Sequence, residues 1–420
     1  MSLKRNLAWM LISKISIISA TILTGALINR SLGPSGRGIF AEIQTWVGLF
    51  IVMFGLSMDS AIYHFANRTI YGADDKSRFM TISVLSLIYS IVAVMGFVFC
   101  IIYEPTLFST DAIHNLVLIS ILLVSTMVVT NSITFLQAIG NMKFSAVLGA
   151  IQAFLNIFII GYGYMMNVIN VRFVIIRSIA LQVAILGIMC IYFFRLGFMS
   201  GGFSKKMAMG IIKAGAKQHI GTVATFVYTK INQIIVFKYC GATEAGIFAV
   251  ALNLVFAIMF IPETLRTVLY PRIIHSGDDY AITAKAVRLG FYLWGAVVMF
   301  IIWFARPILF LYAGEKFLSA IPVFRILMIG FWLLSVSSLF APYFVKRGVF
   351  ILSSFIMLLL AFISVGFNIL LVPKYSSMGA AFATTIACSI GFCMILLFMR
   401  YITKKSPFPI FKLDFGKFLD

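Results

Sequence analysis

Six basic residues fall inside runs of apolar sequence: Lys14, Arg177, Lys217, Lys230, Arg266 and Arg325. Only Glu42, Asp59 and Glu263 are comparable acids. At bilayer depth such a charge costs about 2.5–3.5 kcal/mol, so it usually faces protein or a water-filled cavity. A surplus of cations in that setting suits a cationic transport path. Arg grips phosphate bidentately, whereas Lys meets it as a point charge.

Each residue has a plainer reading beside this one. Lys14 sits mid-way along the first apolar run and shares a helical face with Thr21 and Gly25. It is either a cavity cation or a side chain snorkelling to the inner headgroups. His219 and Lys230 are eleven residues apart, about 20° on a helical wheel, and Gln233 falls near the same stripe. Lys217 lies about 220° from Lys230, so it either reaches the cavity or anchors the inner end of its helix. His219 is either a coupling group or a satisfied packing residue. In Ile261-Pro262-Glu263 a proline removes a helical donor, and Arg266 follows at i+3 from Glu263. A discontinuous helix there suits ion or substrate contacts, and a local Glu263–Arg266 pair is the alternative. Arg177 and Arg325 lie near the ends of their runs and read as interface anchors. The expected cationic cavity is therefore Lys14, Lys230, Arg266 and Lys217, with Asp59, Glu263 and His219 as coupling candidates.

Asp59 falls on a stripe with Thr45, Gly48, Val52 and Gly55, whose small residues allow close helix approach. A carboxylate shielded from water beside a cationic cavity is a group that can take up and release a proton. Glu42, near the outer end of the same run, reads as interfacial.

The elements that must position these residues are membrane-spanning helices. Hydrophobic residues make up 62% of the 420 positions and charged residues only 11%, against about 45–50% and 25% in soluble domains. The apolar runs are about 20 residues long, the thickness of a bilayer core. Inside lipid the backbone must satisfy itself, which makes the spans helical. The ~10-residue alternation of a barrel is missing. Twelve spans are expected, near 7–29, 40–65, 80–103, 114–138, 145–168, 173–194, 214–238, 247–270, 289–312, 321–345, 350–372 and 379–401. The first is too long for the core of a signal peptide and lacks an A-x-A-like site, so it reads as an uncleaved span.

With the N-terminus in the cytoplasm, twenty of the 33 basic residues fall in inner segments and seven in outer ones. That asymmetry puts both ends inside. The net charge of +20 thus reflects topology plus the six residues within spans, and nucleic acid is not an expected partner. Four of the five cysteines lie in apolar runs and no metal-type spacing occurs. No G-x-S-x-G, H-E-x-x-H or P-loop pattern is present, so an enzyme is not expected. No cofactor is expected either, beyond H⁺ or Na⁺ as a coupling ion.

The chain also repeats itself. Gly33, Gly38, Ile39, Phe40 and Ala41 recur as Gly241, Gly246, Ile247, Phe248 and Ala249, at an offset of 208. Asn156 and Asn368 are a weaker echo at 212. Six spans on each side make parallel halves, an arrangement in which transporters bind substrate between the halves. The expected organisation is a six-helix lobe at 1–194, a cytoplasmic link at 195–213, a second six-helix lobe at 214–401 and a basic tail at 402–420 suited to anionic headgroups.

The stretch Leu32-Gly-Pro-Ser-Gly-Arg-Gly-Ile-Phe-Ala41 resembles the O-antigen and polysaccharide flippases of the MOP exporter superfamily. So do Ala245-Gly246-Ile247-Phe248-Ala249, Tyr270-Pro271-Arg272 and Val372-Pro373-Lys374-Tyr375 with Gly379-Ala380-Ala381. The resemblance implies two six-helix lobes in a V around a cationic central cavity. It implies transfer of an undecaprenyl-pyrophosphate-linked oligosaccharide from the cytoplasmic to the periplasmic leaflet of a bacterial inner membrane. Glycosyltransferases and a polysaccharide polymerase are the partners this would bring. A cation-coupled multidrug exporter of the same superfamily is the nearest alternative, and a membrane-embedded O-antigen polymerase or ligase is another. The intramembrane cations weigh against the first, and the repeat with its short outer loops weighs against the second.

Overall fold

The computed structural model describes residues 3–65, 74–275, 279–347 and 350–403, without the side chains of 3–15, 264–265, 267–279, 345 and 350–354. No strand occurs among them. The helices are α1 (Leu3–Phe54), α2 (Met58–Phe65), α3 (Asp75–Tyr103), α4 (Thr110–His114), α5 (Leu116–Ala138), α6 (Met142–Met165) and α7 (Val171–Arg195). They continue as α8 (Lys205–His275), α9 (Asp279–Trp303), α10 (Ala305–Ala313), α11 (Ala320–Ser338), α12 (Ala341–Lys346) and α13 (Phe350–Thr403). Among the described residues nine helical stretches are long and apolar enough to cross a membrane. The chain is a multi-pass α-helical membrane protein.

Three helices are far longer than a bilayer needs, and each bends where its φ/ψ leaves the helical region: α1 at Gly33, α8 at Gly241 and α13 at Ser376. Gly33 has φ 65° and ψ −177°, and Gly241 has φ 80° and ψ −179°. That corner of backbone space is open essentially to glycine alone. Pro34 then starts the second half of α1 where a missing N–H costs nothing. The sequence repeat thus marks two bends of one geometry.

Two expectations are corrected. Pro262 does not interrupt α8, which runs helical from Gly241 to His275. A break occurs instead at the end of α1, where Leu56 and Ser57 both take φ 47° and no proline or run of turn residues announces it. The 195–213 link is shorter than expected, because α8 already begins at Lys205.

The chain divides into two compact units. The first is Met1–Phe226 with Gly241–Gly246 and Leu311–Lys316, and the second is Val227–Cys240, Ile247–Phe310 and Phe317–Asp420. In the first, α1 packs along α6, and α5 is flanked by α3 and α7. Its inner core centres on Phe79, Phe135 and Phe193, with ring centroids of Phe79 and Phe193 4.0 Å apart. In the second, α11 lies against α13 and α9, around Phe340, Tyr343 and Phe392. Lipid tails are as apolar as these cores, so close packing and buried polar contacts hold the helices together. Large exposed side chains such as Ile102, Phe154, Phe194, Trp303 and Phe362 face outward, as a lipid-solvated surface requires.

Candidate functional site

Asp59 opens the first turn of α2, directly after the helix break. The break places it beside a cavity of about 150 Å³ lined by Gly55, Ser57, Asp59, Thr130, Asn131 and Thr222, among others. Ser57 donates to the Thr222 hydroxyl at 2.8 Å, and Asn131 donates to Ser86 at 3.0 Å. Carboxylate, hydroxyl and amide oxygens around a small cavity are the donor set of a proton or a hard cation. The expected Asp59 stripe through Thr45 and Gly48 does not survive, because the break re-aims α2. Thr130, Asn131 and Thr222 were missed: they lie far from Asp59 in sequence, on α5 and α8.

In the second unit Lys230 is half-buried, with Nζ 4.1 Å from the Phe256 ring centroid. Ammonium over an aromatic face is attracted by the ring quadrupole. Arg266 pairs with Glu263 one turn away, the local alternative seen from the sequence. Arg266 also lines a cavity of about 190 Å³ with Tyr228, Ser337, Ser338, Phe344 and Cys388. Tyr228 donates to the Cys388 sulfur at 2.9 Å, and Asn232 donates to Thr384 at 2.6 Å. Lys217 is exposed and His219 half-exposed on the first-unit part of α8. The Lys14 side chain lies outside the described residues. Arg325 is exposed and donates to the Ile302 carbonyl at 3.2 Å.

Two residues read as interfacial are interior instead. Glu42 is fully buried. Its carboxylate accepts from the Ser109 hydroxyl at 2.5 Å, the Ser109 N–H at 3.1 Å and the Trp46 indole N–H at 3.0 Å. Three neutral donors replace the water it gave up. Arg177 is half-buried and donates to the Asn156 amide oxygen and, at 3.2 Å, to Ser178. Asn156 in turn donates to Thr24 at 3.3 Å. Periodicity could not separate these positions from interface ones, because α1, α6 and α7 are apolar on every side and only their packing defines an interior.

The family described as "Polysaccharide biosynthesis protein" matches residues 3–277. No curated protein matches the chain by sequence. By fold the chain is similar to a lipid II flippase MurJ in an inward closed conformation. The TM-score is 0.71 and the identity 16%, over 96% of this chain and 89% of that one. An inward-facing multidrug resistance MATE family transporter of the MOP superfamily is similar at TM-score 0.66 and 14% identity, over 94% and 99%. A MOP superfamily transporter from Pyrococcus furiosus, described by the reverse polarity of its binding pocket, gives 0.62 and 14% over 96% of each. At such identities the likeness is one of fold alone.

Proposed function

Because the chain belongs to the polysaccharide biosynthesis protein family, we propose that it carries a lipid-linked oligosaccharide, most simply an undecaprenyl-pyrophosphate-linked repeat unit, from the inner to the outer leaflet of a bacterial inner membrane. The observation that carries this reading is the surplus of cations over carboxylates within the apolar helices. Lys230 and Arg266 can meet a pyrophosphate, and the prenyl tail can stay in lipid. In this reading each of the three bent helices crosses twice, which makes twelve crossings with both ends in the cytoplasm. The cargo moves by alternating access and no bond is made or broken. Asp59, at the helix break, is the coupling group for H⁺ or Na⁺. Glycosyltransferases supply the substrate, and a polymerase consumes it on the far side.

The test is reconstitution into liposomes with a fluorescent polyprenyl-pyrophosphate disaccharide, its inner-leaflet fraction read by protection from an added pyrophosphatase. Loss of protection that depends on the protein and falls several-fold in Lys230→Gln supports the reading. Protection that never changes, together with export of cationic dyes by the same vesicles, would move the assignment to a drug exporter.

A further inference from the structure

The cavity of about 190 Å³ beside Arg266 in the second unit is chemically one-sided. Its walls come from α8, α11, α12 and both ends of α13. Ile356 and Leu360, near the start of α13, are buried. The rings of Phe344 and Phe398, 5.1 Å apart between centroids, also line it. The hydroxyl groups of the wall are already committed. Tyr228 donates to the Cys388 sulfur at 2.9 Å, Ser337 to the Leu333 carbonyl at 2.8 Å and Ser338 to the Ser335 carbonyl at 2.7 Å. Each proton is given within the protein, so a guest meets hydrocarbon and aromatic surface. Among the described residues that line the cavity, Arg266 alone carries a charge. Its side chain is 33% exposed, and Glu263 contacts it at one terminal nitrogen. A guanidinium has five N–H donors, so one such contact leaves it able to meet a second anion.

We infer that this cavity seats the first isoprene units of a polyprenyl pyrophosphate, with Arg266 on the pyrophosphate and the rest of the tail in lipid. The inference rests on the proposed cargo and deepens it, because it gives the tail a site inside the protein. One cation at an apolar cavity suits an amphiphile whose anion is bonded directly to hydrocarbon. A prenyl pyrophosphate is built that way. In a phospholipid a glycerol and two esters stand between phosphate and chain. Their carbonyls would leave water for a wall whose hydroxyl donors are spent, which is costly. Size agrees: a dry apolar cavity of about 150 Å³ takes one benzene, so this one takes about one or two isoprene units. Place agrees too. The cavity lies where α11 gives way to α12 and where α13 nears its end at Thr403, which is the cytoplasmic side in the proposed topology. The carrier thus selects its cargo by the start of the lipid tail as well as by charge.

The experiment is equilibrium binding of radiolabelled geranyl pyrophosphate to the full-length protein in nanodiscs, with empty nanodiscs subtracted. Inorganic pyrophosphate is measured in parallel, and dioleoyl phosphatidic acid is the competitor. Geranyl pyrophosphate is expected to bind at least tenfold tighter than inorganic pyrophosphate and to resist displacement by phosphatidic acid. Ala341→Phe fills the cavity, so it should abolish the advantage of the geranyl chain and leave inorganic pyrophosphate binding unchanged. Arg266→Gln should weaken both ligands. Should Ala341→Phe fail to fold, a geranyl pyrophosphate with a diazirine at its far end decides on the unaltered protein, with label expected on peptides that carry Leu360 or Cys388. Equal binding of the two pyrophosphates, a geranyl advantage that survives in folded Ala341→Phe, displacement by phosphatidic acid, or label absent from those peptides would each overturn the assignment. Geranyl pyrophosphate carries no glycan, so the two readings fail separately. Binding that holds while liposomes move no cargo strikes the proposed function, and transport without preference for the geranyl chain strikes the tail site alone.

Discussion

Gly38 and Gly246, 208 residues apart, pack backbone against backbone. A Cβ on Gly38 would lie 1.8 Å from the Ala242 carbonyl oxygen, and one on Gly246 would lie 1.9 Å from that of Pro34. Pro34 and Ala242 are themselves 208 apart, so the two copies of the repeat cross about a local two-fold within the first unit. Small residues let helix backbones approach this closely, and Cα–H···O contacts recur at such crossings.

Gly38→Ala and Gly246→Ala should each destabilise by about 1–3 kcal/mol, the usual cost of forcing atoms into a packed contact. Gly161→Ala is the control, because nothing lies within 4 Å of its added methyl group. It should be neutral or slightly stabilising. Apparent Tm by fluorescence-detected size exclusion separates the two classes, and an unchanged Tm in Gly38→Ala would mean that the crossing is looser than it stands here.

The bends make a different prediction. A Cβ on Gly33 or Gly241 meets nothing within 4 Å, so space is not the obstacle. The positive φ is, and an L side chain there costs of order 1–3 kcal/mol. Gly33→Ala should therefore lower Tm without a steric clash, and Gly33→Asn should lower it about as much, since the tolerance of Asn for positive φ belongs to the left-handed helical region and not to the ψ of −177° found here. An unchanged Tm in both variants would mean that the bend does not depend on this backbone conformation.

Glu42→Ala should be among the most damaging single changes in the first unit. It strands the Ser109 N–H and the Trp46 indole N–H in a buried site, at about 1–3 kcal/mol for each unmet donor. Glu42→Gln keeps one acceptor oxygen and can donate to the Ser109 hydroxyl, so its loss should be smaller. Denaturation midpoints of the two variants side by side check this order, and a reversal would remove the hydrogen-bond account.

Asp59→Asn should leave membrane abundance unchanged and lower transport in the liposome assay by tenfold or more. Leu56→Gly at the adjoining break should keep abundance, because glycine accepts the φ of 47° that leucine takes there. Normal transport in Asp59→Asn would take the carboxylate out of the mechanism.

Lys230→Arg should retain part of the transport that Lys230→Gln loses, since either cation sits favourably over the Phe256 ring. If both variants transport equally well, the positive charge at 230 serves packing and not cargo.

Composition and run length alone determined that this chain is a bundle of membrane helices, because 62% apolar residues in ~20-residue runs have no other solvent. The repeat at Gly33 and Gly241 was legible for a similar reason: a backbone corner that only glycine takes cheaply leaves its mark in sequence. The Glu263–Arg266 pair was visible as an alternative, being local to one helical turn. The interior was not legible. In a water-soluble protein burial follows hydrophobicity, but in lipid every face of a helix is apolar, so sequence could not say which face of α1 meets α6 or lipid. That Glu42 meets Ser109, that Arg177 meets Asn156, and that Asp59 shares a cavity with Thr130 and Thr222 was decided only when helices remote in sequence packed together, because a buried polar group finds its partners across helices and not along them.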